Sequence, residues 1–359
     1  MKKKVLLSFL LVFALLFTAC SSPGGRSEAS SSSKAPSTST PGSVNQEDIP
    51  TLRFGHGGND AFAAHYGALA FQEVAANSPN GTVNIDIYPG AQLGAEREMV
   101  EAVMLGNLDI AVSMTFTVSS ICNIPELLLY EMPWLITDRD LLYDVISNNE
   151  TFKTITTDLM ESKGIKYLGA ADIGYYGVTA SKPIRTPEDM VNMKFRTAEN
   201  PLIVSWFGEL GANPVVVAIN EVFTALQQGV MDGVYTTITM MAQTKTYEIA
   251  KEITSLNNAL GITFLVMNLE TFNSLSPEQQ ATLEEAGRAY IQAQREASET
   301  ETERVVAEMG DTGANFYSLS EAEMAPFREA VAPVYDVWRK QIGEEYFAET
   351  QAYIEAWNK

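Results

Sequence analysis

The sequence predicts an α/β body divided into two domains, and three observations carry that expectation. Short β-type runs alternate with helix-patterned stretches from Thr51 onward. About 310 residues follow a low-complexity N-terminal segment, enough for a sizeable core that ordinarily splits in two. The helical pattern opened by Ser276-Pro277-Glu278-Gln279 runs without a breaker to about Met309. At 1.5 Å per residue that is a rod of roughly 50 Å, longer than one domain is wide, so it must cross between them. Two helices with a bend near Ser298 are the alternative.

Residues 1–20 read as an export signal, because Lys2, Lys3 and Lys4 precede an apolar run from Val5 to Phe17 that is too short to span a membrane. The run ends in Leu16-Phe17-Thr18-Ala19-Cys20, which resembles the bacterial lipoprotein box with Phe17 where Leu is usual, so Cys20 is expected to be lipidated. An ordinary cleavage site with an incidental cysteine is the alternative. From 21 to 48 the chain is Ser, Thr, Pro and Gly with almost no apolar residue, and it is expected to be a disordered tether reaching roughly 30 Å. No second apolar stretch of membrane length follows, so the lipid is the expected anchor. The formal charge of −21 disfavours nucleic acid and anionic lipid surfaces as partners. With Cys20 lipidated, Cys122 is left alone, and its apolar setting suits a small buried hydrophobe.

Within the body, 51–56 reads as a strand, about 60–76 as an amphipathic helix and 82–88 as a strand. Beyond Pro89-Gly90, Met99, Ala102, Val103 and Leu105 recur at helical spacing over 95–105, Gly106 stops the helix, and 108–113 is a strand. A helix near 140–163 and a strand at 165–171 repeat the unit. A new unit is expected to begin near Gly174. There Thr186-Pro187-Glu188-Asp189 opens a short helix: the hydroxyl caps an orphan amide, Pro fits the first turn, and the acids suit its positive end. A strand at 193–197, a helix near 199–210, the turn Gly211-Ala212-Asn213-Pro214, a strand, a helix at 221–228 and a strand at 231–236 follow. The apolar run 261–268 is a buried strand returning to the first domain. The expected division is therefore 49–173 with 262–300, and 174–261 with 301–359.

Enzymes show catalytic constellations, and this sequence has no zinc-type histidine spacing, no Gly-x-Ser-x-Gly and no phosphate-cradling glycine loop. His56 and His65, nine residues apart, cannot share one helix face or one strand, and no metal or other cofactor is expected. Nothing basic flanks Cys122 to favour a thiolate. Arg196 stands out. It closes the strand Met193-Lys194-Phe195-Arg196-Thr197, in a class of sheet that binds ligands beyond the carboxyl ends of its strands. Its guanidinium is a rigid fork that matches a carboxylate with two parallel hydrogen bonds. A surface or interdomain salt bridge is the plainer alternative.

Six segments then fall in order: Gln92-Leu93-Gly94-Ala95-Glu96-Arg97-Glu98-Met99, Gly106-Asn107-Leu108-Asp109, Pro183-Ile184-Arg185-Thr186-Pro187-Glu188-Asp189-Met190, Met193-Lys194-Phe195-Arg196-Thr197, Gly211-Ala212-Asn213-Pro214, and Ala225-Leu226-Gln227-Gln228-Gly229-Val230-Met231-Asp232-Gly233. Together they resemble the dicarboxylate-binding-protein family of solute receptors that serve TRAP (tripartite ATP-independent periplasmic) transporters, over nearly the whole body from Thr51. The resemblance implies a two-lobed periplasmic-binding-protein fold that closes on its ligand about a hinge, with the long helix spanning both lobes. It implies that Arg196 pairs with a ligand carboxylate. It also implies membrane permease subunits as partners, driven by an ion gradient, and a monomeric receptor.

Departures from the family pattern bear on the ligand. Tyr176 stands where many members carry a second Arg, and Thr236 where many carry the Asn of Gln-Glu-Asn-Pro. Met114 and Ile219 fall at pocket-lining positions, and Asn213 of the Gly-Ala-Asn-Pro turn is a further candidate. One cation, a hydroxyl, a phenol and apolar walls suit a monocarboxylate with an apolar or aromatic body. The rivals are a lipoprotein of an ATP-driven importer, the ligand-sensing partner of a receptor kinase, and an extracytoplasmic enzyme acting on small acids.

Overall fold

In the computed structural model, residues 49–357 other than Asn80 are described; the expected export signal, Cys20 and the 21–48 tether lie outside them. Among the described residues nine strands form one sheet: β1 (Thr51–Gly55), β2 (Asn84–Tyr88), β3 (Ile110–Met114), β4 (Ile165–Ala180), β5 (Lys194–Thr197), β6 (Asn213–Val216), β7 (Gly233–Thr237), β8 (Glu252–Asn268) and β9 (Asn315–Ser318). Their order is β2-β1-β3-β8-β4-β7-β5-β6, with β9 added to β8. The helices are α1 (Ala63–Asn77), α2 (Glu96–Met104), α3 (Thr115–Cys122), α4 (Arg139–Asn148), α5 (Glu150–Thr154), α6 (Pro201–Glu209), α7 (Val222–Gln227), α8 (Ile238–Thr244), α9 (Leu269–Ser274), α10 (Pro277–Asp311), α11 (Glu321–Ile342) and α12 (Glu344–Trp357).

Two strands of 16 and 17 residues, β4 and β8, pair antiparallel and organise the sheet. One end of β8 takes β3, behind which β1 and β2 add in parallel. The other end of β8 takes β9, while the matching end of β4 takes β7 and then β5 and β6. The sheet thus has two halves sharing two strands. Between the halves the β4–β8 register slips twice, at Asp172/Tyr175 and Tyr175/Gly177. Gly174 sits there at φ 95°, a conformation that a side chain would strain.

Several expectations need correction. The strand expected at 165–171 runs on to Ala180, through the expected boundary near Gly174, and the strand expected at 261–268 begins at Glu252. The β4 extension carries Asp172, Gly174 and Gly177, and the β8 extension Glu252, Thr254, Ser255, Asn257 and Asn258, and these break up the apolar run. The helix expected over 140–163 breaks at Asn149, whose side chain accepts the Phe152 amide and restarts the chain as α5, continued by a π-helical turn at Ile155–Leu159.

The long helix is continuous. α10 runs for 35 residues, opened by the Ser276/Gln279 capping box, and has no break at Ser298. Its Leu283, Ala286 and Tyr290 belong to the main core, whereas Val305 and Met309 pack with Ile238, Met241 and Ile253 in a separate cluster of the second half. Close approach to β4 depends on Gly287, where an added Cβ would stand 2.2 Å from the Leu168 carbonyl oxygen. α11 crosses the same divide, packing on α6 and on the 3-10 turn Pro125–Glu131. Its Tyr335 hydroxyl donates to the Pro133 carbonyl (2.5 Å) and its Trp338 indole to Ser205 (2.9 Å).

Asp172, fully buried at the register slip, ties these parts together. It accepts from Arg139 (3.0 Å), the Tyr143 hydroxyl (2.9 Å), the Gly174 amide (2.8 Å) and Ser298 of α10 (2.8 Å). No described helix is long and apolar enough to cross a membrane.

Candidate functional site

Arg196 is the third residue of β5, and although it is a cation it is only 5% exposed. Its Nε donates to the Val217 carbonyl just beyond β6 (2.9 Å) and one terminal nitrogen to the Tyr235 carbonyl of β7 (3.4 Å). No described carboxylate lies within 4.0 Å of it. Burial pulls its pKa down to about 10, against the opposing influence of Tyr176 and Glu96. Two carbonyl dipoles hold the guanidinium in place but do not neutralise it, which leaves a buried positive charge oriented by the protein.

Glu96, the first residue of α2, is half-buried on the first half of the sheet and within electrostatic reach of Arg196. One of its oxygens accepts from the Ser113 hydroxyl and the Met114 amide at the end of β3, both at 3.3 Å. Burial raises its pKa, outweighing these hydrogen bonds and Arg196.

The structure gathers some of the predicted residues and separates others. Register places Arg196 beside Val234 and Gly177 beside Thr236, so strand alternation puts Arg196 and the buried Thr236 on one face. Tyr176 takes the other face, stacked on Tyr235 with ring centres 4.8 Å apart and planes 10° from parallel, and it remains within electrostatic reach of Arg196. Met114 is buried at the end of β3. Ile219 is exposed in the turn after Val217. Asn213 is not brought to the group. It pairs with Lys194, two residues before Arg196, and its exposed amide donates to the Asn192 carbonyl (3.0 Å). Cys122 is a buried free thiol whose pKa burial pushes up to about 11, as its apolar setting led one to expect.

Sequence reasoning missed two acids. Glu96 lay in a quoted segment without being chosen. Glu131 is a lone acid within the apolar run from Leu127 to Ile136, a signal that could have found it. It is buried, one oxygen accepts the Asn200 amide nitrogen at 2.6 Å, and burial raises its pKa to about 8. The two histidines, one just after β1 and one on α1, meet with Nε2 of His56 and Nδ1 of His65 at 3.1 Å. No group of three or more His, Cys, Asp or Glu that could hold a metal occurs among the described residues. Two surface depressions among the described residues, one around Asn59, Asp60 and Gln92 and one around Thr51, Gln72 and Asn84, include none of the predicted residues.

The half-sheets also meet through charge here. Arg97 of α2 lies 3.5 Å from Glu199, in the segment that leaves β5.

Comparison with known proteins places these features in a wider group. The model of "bacterial extracellular solute-binding protein, family 7" matches residues 54–341. The C4-dicarboxylate-binding periplasmic protein DctP of Rhodobacter capsulatus is 28% identical over 287 residues, 80% of this chain and 85% of that protein. Among solved structures, a TRAP periplasmic solute-binding protein from Roseobacter denitrificans with bound β-D-glucuronate is 25% identical, with a TM-score of 0.78 over 84% of this chain and 99% of that one. Another from Sulfurospirillum deleyianum, with bound succinate, is 26% identical, with a TM-score of 0.76 over 84% and 98%.

Proposed function

Because the chain belongs to bacterial extracellular solute-binding protein family 7, the receptors of TRAP transporters and not a family of enzymes, we propose that it captures a small organic acid through Arg196 and hands it to the membrane permease subunits. The observation that carries this reading is the oriented, buried guanidinium with no described carboxylate beside it. A ligand carboxylate would complete it with parallel charge-assisted hydrogen bonds. The lobes of this reading divide at 49–173 with 262–300 and 174–261 with 301–359. The slipped register at Asp172–Gly177 is the hinge, and α10 and α11 are the spans that cross it. A ligand touching both lobes stabilises the closed form, which is the form that docks on the permease.

The substrate on this reading is a monocarboxylate with an apolar or aromatic body. Glu96 sits where a second ligand carboxylate would meet like charge, while Met114, Ile219 and Thr236 offer mostly apolar walls. A thermal-shift panel of D-glucuronate, phenylacetate, D-erythronate and succinate tests this. Stabilisation by phenylacetate supports it, stabilisation by D-glucuronate or D-erythronate without phenylacetate rejects the apolar body, and stabilisation by succinate alone rejects the monocarboxylate. Lipidation of Cys20 would hold the monomeric body at the outer face of the membrane. Cys20→Ala should then move the protein from the membrane fraction to the soluble one, and retention in the membrane would contradict the anchor.

A further inference from the structure

Glu131 occupies a place that capture alone does not explain. It ends the 3-10 turn that follows α3, on the side of the first half-sheet, and is 5% exposed. Its Oε2 takes the Asn200 amide nitrogen at 2.6 Å. Asn200 is the N-cap of α6, in the second half, four residues after Arg196, and its own carbonyl oxygen accepts the Leu202 and Ile203 amides. The Phe116 amide at the start of α3 is near enough to favour the charged form of Glu131. One carboxyl therefore bonds the cap of α6, which follows β5, and lies near the first turn of α3, which follows β3, the strands bearing Arg196 and Met114. Its Oε1 is buried with no partner among the described residues, and no described cation pairs with it.

A carboxylate so placed would be a buried charge held by one neutral side-chain donor, Asn200, with its other oxygen unsatisfied. A carboxylic acid there removes the charge at little cost to that bond. We propose that Glu131 carries a proton when the two halves are together and so couples capture of the acid ligand to uptake of one proton. This rests on the hinged-receptor reading above. Burial raises this carboxyl from its ordinary range to about 8, outweighing the Asn200 and Phe116 amides. The titratable groups that face it are Tyr176 of β4 and Tyr235 of β7, both held neutral by burial, with Arg196 of β5 and Glu96 of α2 beyond Tyr176. α11 brings Tyr335, also kept neutral by burial, with its hydroxyl bonded to the Pro133 carbonyl. Opening the halves would return Glu131 to water and to an ordinary carboxyl pKa near 4.5.

The sign of the linkage follows. A proton is taken up on closure between about pH 4.5 and 8, so affinity falls as pH rises through that window, by up to about tenfold per unit, and is flat above it. Glu131→Gln, a permanent neutral isostere, keeps the Asn200 contact and should bind with unchanged affinity from pH 5 to 8. The test has two arms. Carbon-13 carboxyl NMR of the ligand-free protein and of protein saturated with the best acid of the panel, each compared with Glu131→Gln, follows the Glu131 proton directly. Calorimetry with that acid in buffers of different ionisation heat counts protons taken up at pH 6.5. A carboxyl resonance titrating near pH 8, absent from Glu131→Gln, with about one proton taken up by wild type and none by the variant, supports the coupling. An ordinary titration of every glutamate in the ligand-saturated protein, or equal uptake by wild type and variant, overturns it. If no acid binds, it is the capture reading that fails; if an acid binds while Glu131 titrates in the ordinary range in the saturated protein, it is the coupling that fails.

Discussion

Replacing Arg196 with Ala separates a ligand-binding cation from a structural one. In the folded protein the guanidinium spends two donors on the Val217 and Tyr235 carbonyls, at 2.9 and 3.4 Å. Their loss costs about 1 kcal/mol each. The same substitution relieves the fold of a desolvated cation whose pKa burial draws to about 10, which opposes that loss. Stability without ligand should therefore change by no more than about 2 kcal/mol. Binding should change far more, because truncating one partner of a buried charge-assisted pair costs about 2–5 kcal/mol. That is about 30-fold to several thousand-fold in Kd at 1.4 kcal/mol per tenfold. Arg196→Lys keeps the charge but lacks the fork, and should fall between the two. Calorimetric titration with the best acid of the panel reads affinity, and urea unfolding without ligand reads stability. Wild-type affinity in a folded Arg196→Ala protein would refute the reasoning, as would a large loss of ligand-free stability with binding preserved.

Asp172→Ala should destabilise the fold by about 3–5 kcal/mol in urea unfolding, since it strands the half-buried Arg139 and three further donors; Tyr143→Phe, which removes one of those donors, should cost about 1 kcal/mol. Gly287→Ala should cost about 1–3 kcal/mol and lower Tm, because its methyl meets the Leu168 carbonyl of β4. His56 is held neutral by burial and by His65, with its pKa lowered from 6.5 to about 4. Its contribution to stability is complete above pH 6.5 and is lost as pH falls through 4, because the unfolded chain binds the proton first. Urea unfolding between pH 4 and 7 should show this slope in wild type and a shallower one in His56→Gln, and equal slopes would contradict it.

The elements that sequence exposed best were those with local punctuation. The Ser276-Pro277-Glu278-Gln279 box opened α10 where expected, and Thr186-Pro187-Glu188-Asp189 opened a short 3-10 helix at Pro187–Met190. What remained hidden depended on distant parts of the chain. β4 continues through Gly174 because β8 and β7 pair with its second half, and no local pattern carries that information. α3 and α8 begin directly after strands at Thr115 and Ile238, within runs that a strand pattern absorbs. Arg196 was singled out for its place near the carboxyl end of its strand, and its burial depends on the Val217 and Tyr235 carbonyls, which strand pattern does not reveal. Asn213 was not separable from it, since only the β5–β6 register shows that Asn213 lies beside Lys194, two residues before Arg196. Glu96 and Glu131 acquire their setting from strands and helices about 65 to 100 residues away in the chain, so spacing alone could not pair them with Arg196 or Asn200.

The most direct test is a crystal structure of the protein purified without refolding, with the bound solute identified by mass spectrometry after release. The account predicts one organic acid between the two half-sheets, its carboxylate about 2.7–2.9 Å from the Arg196 guanidinium. A solute held elsewhere, with Arg196 turned to solvent or paired to a protein carboxylate, would contradict it.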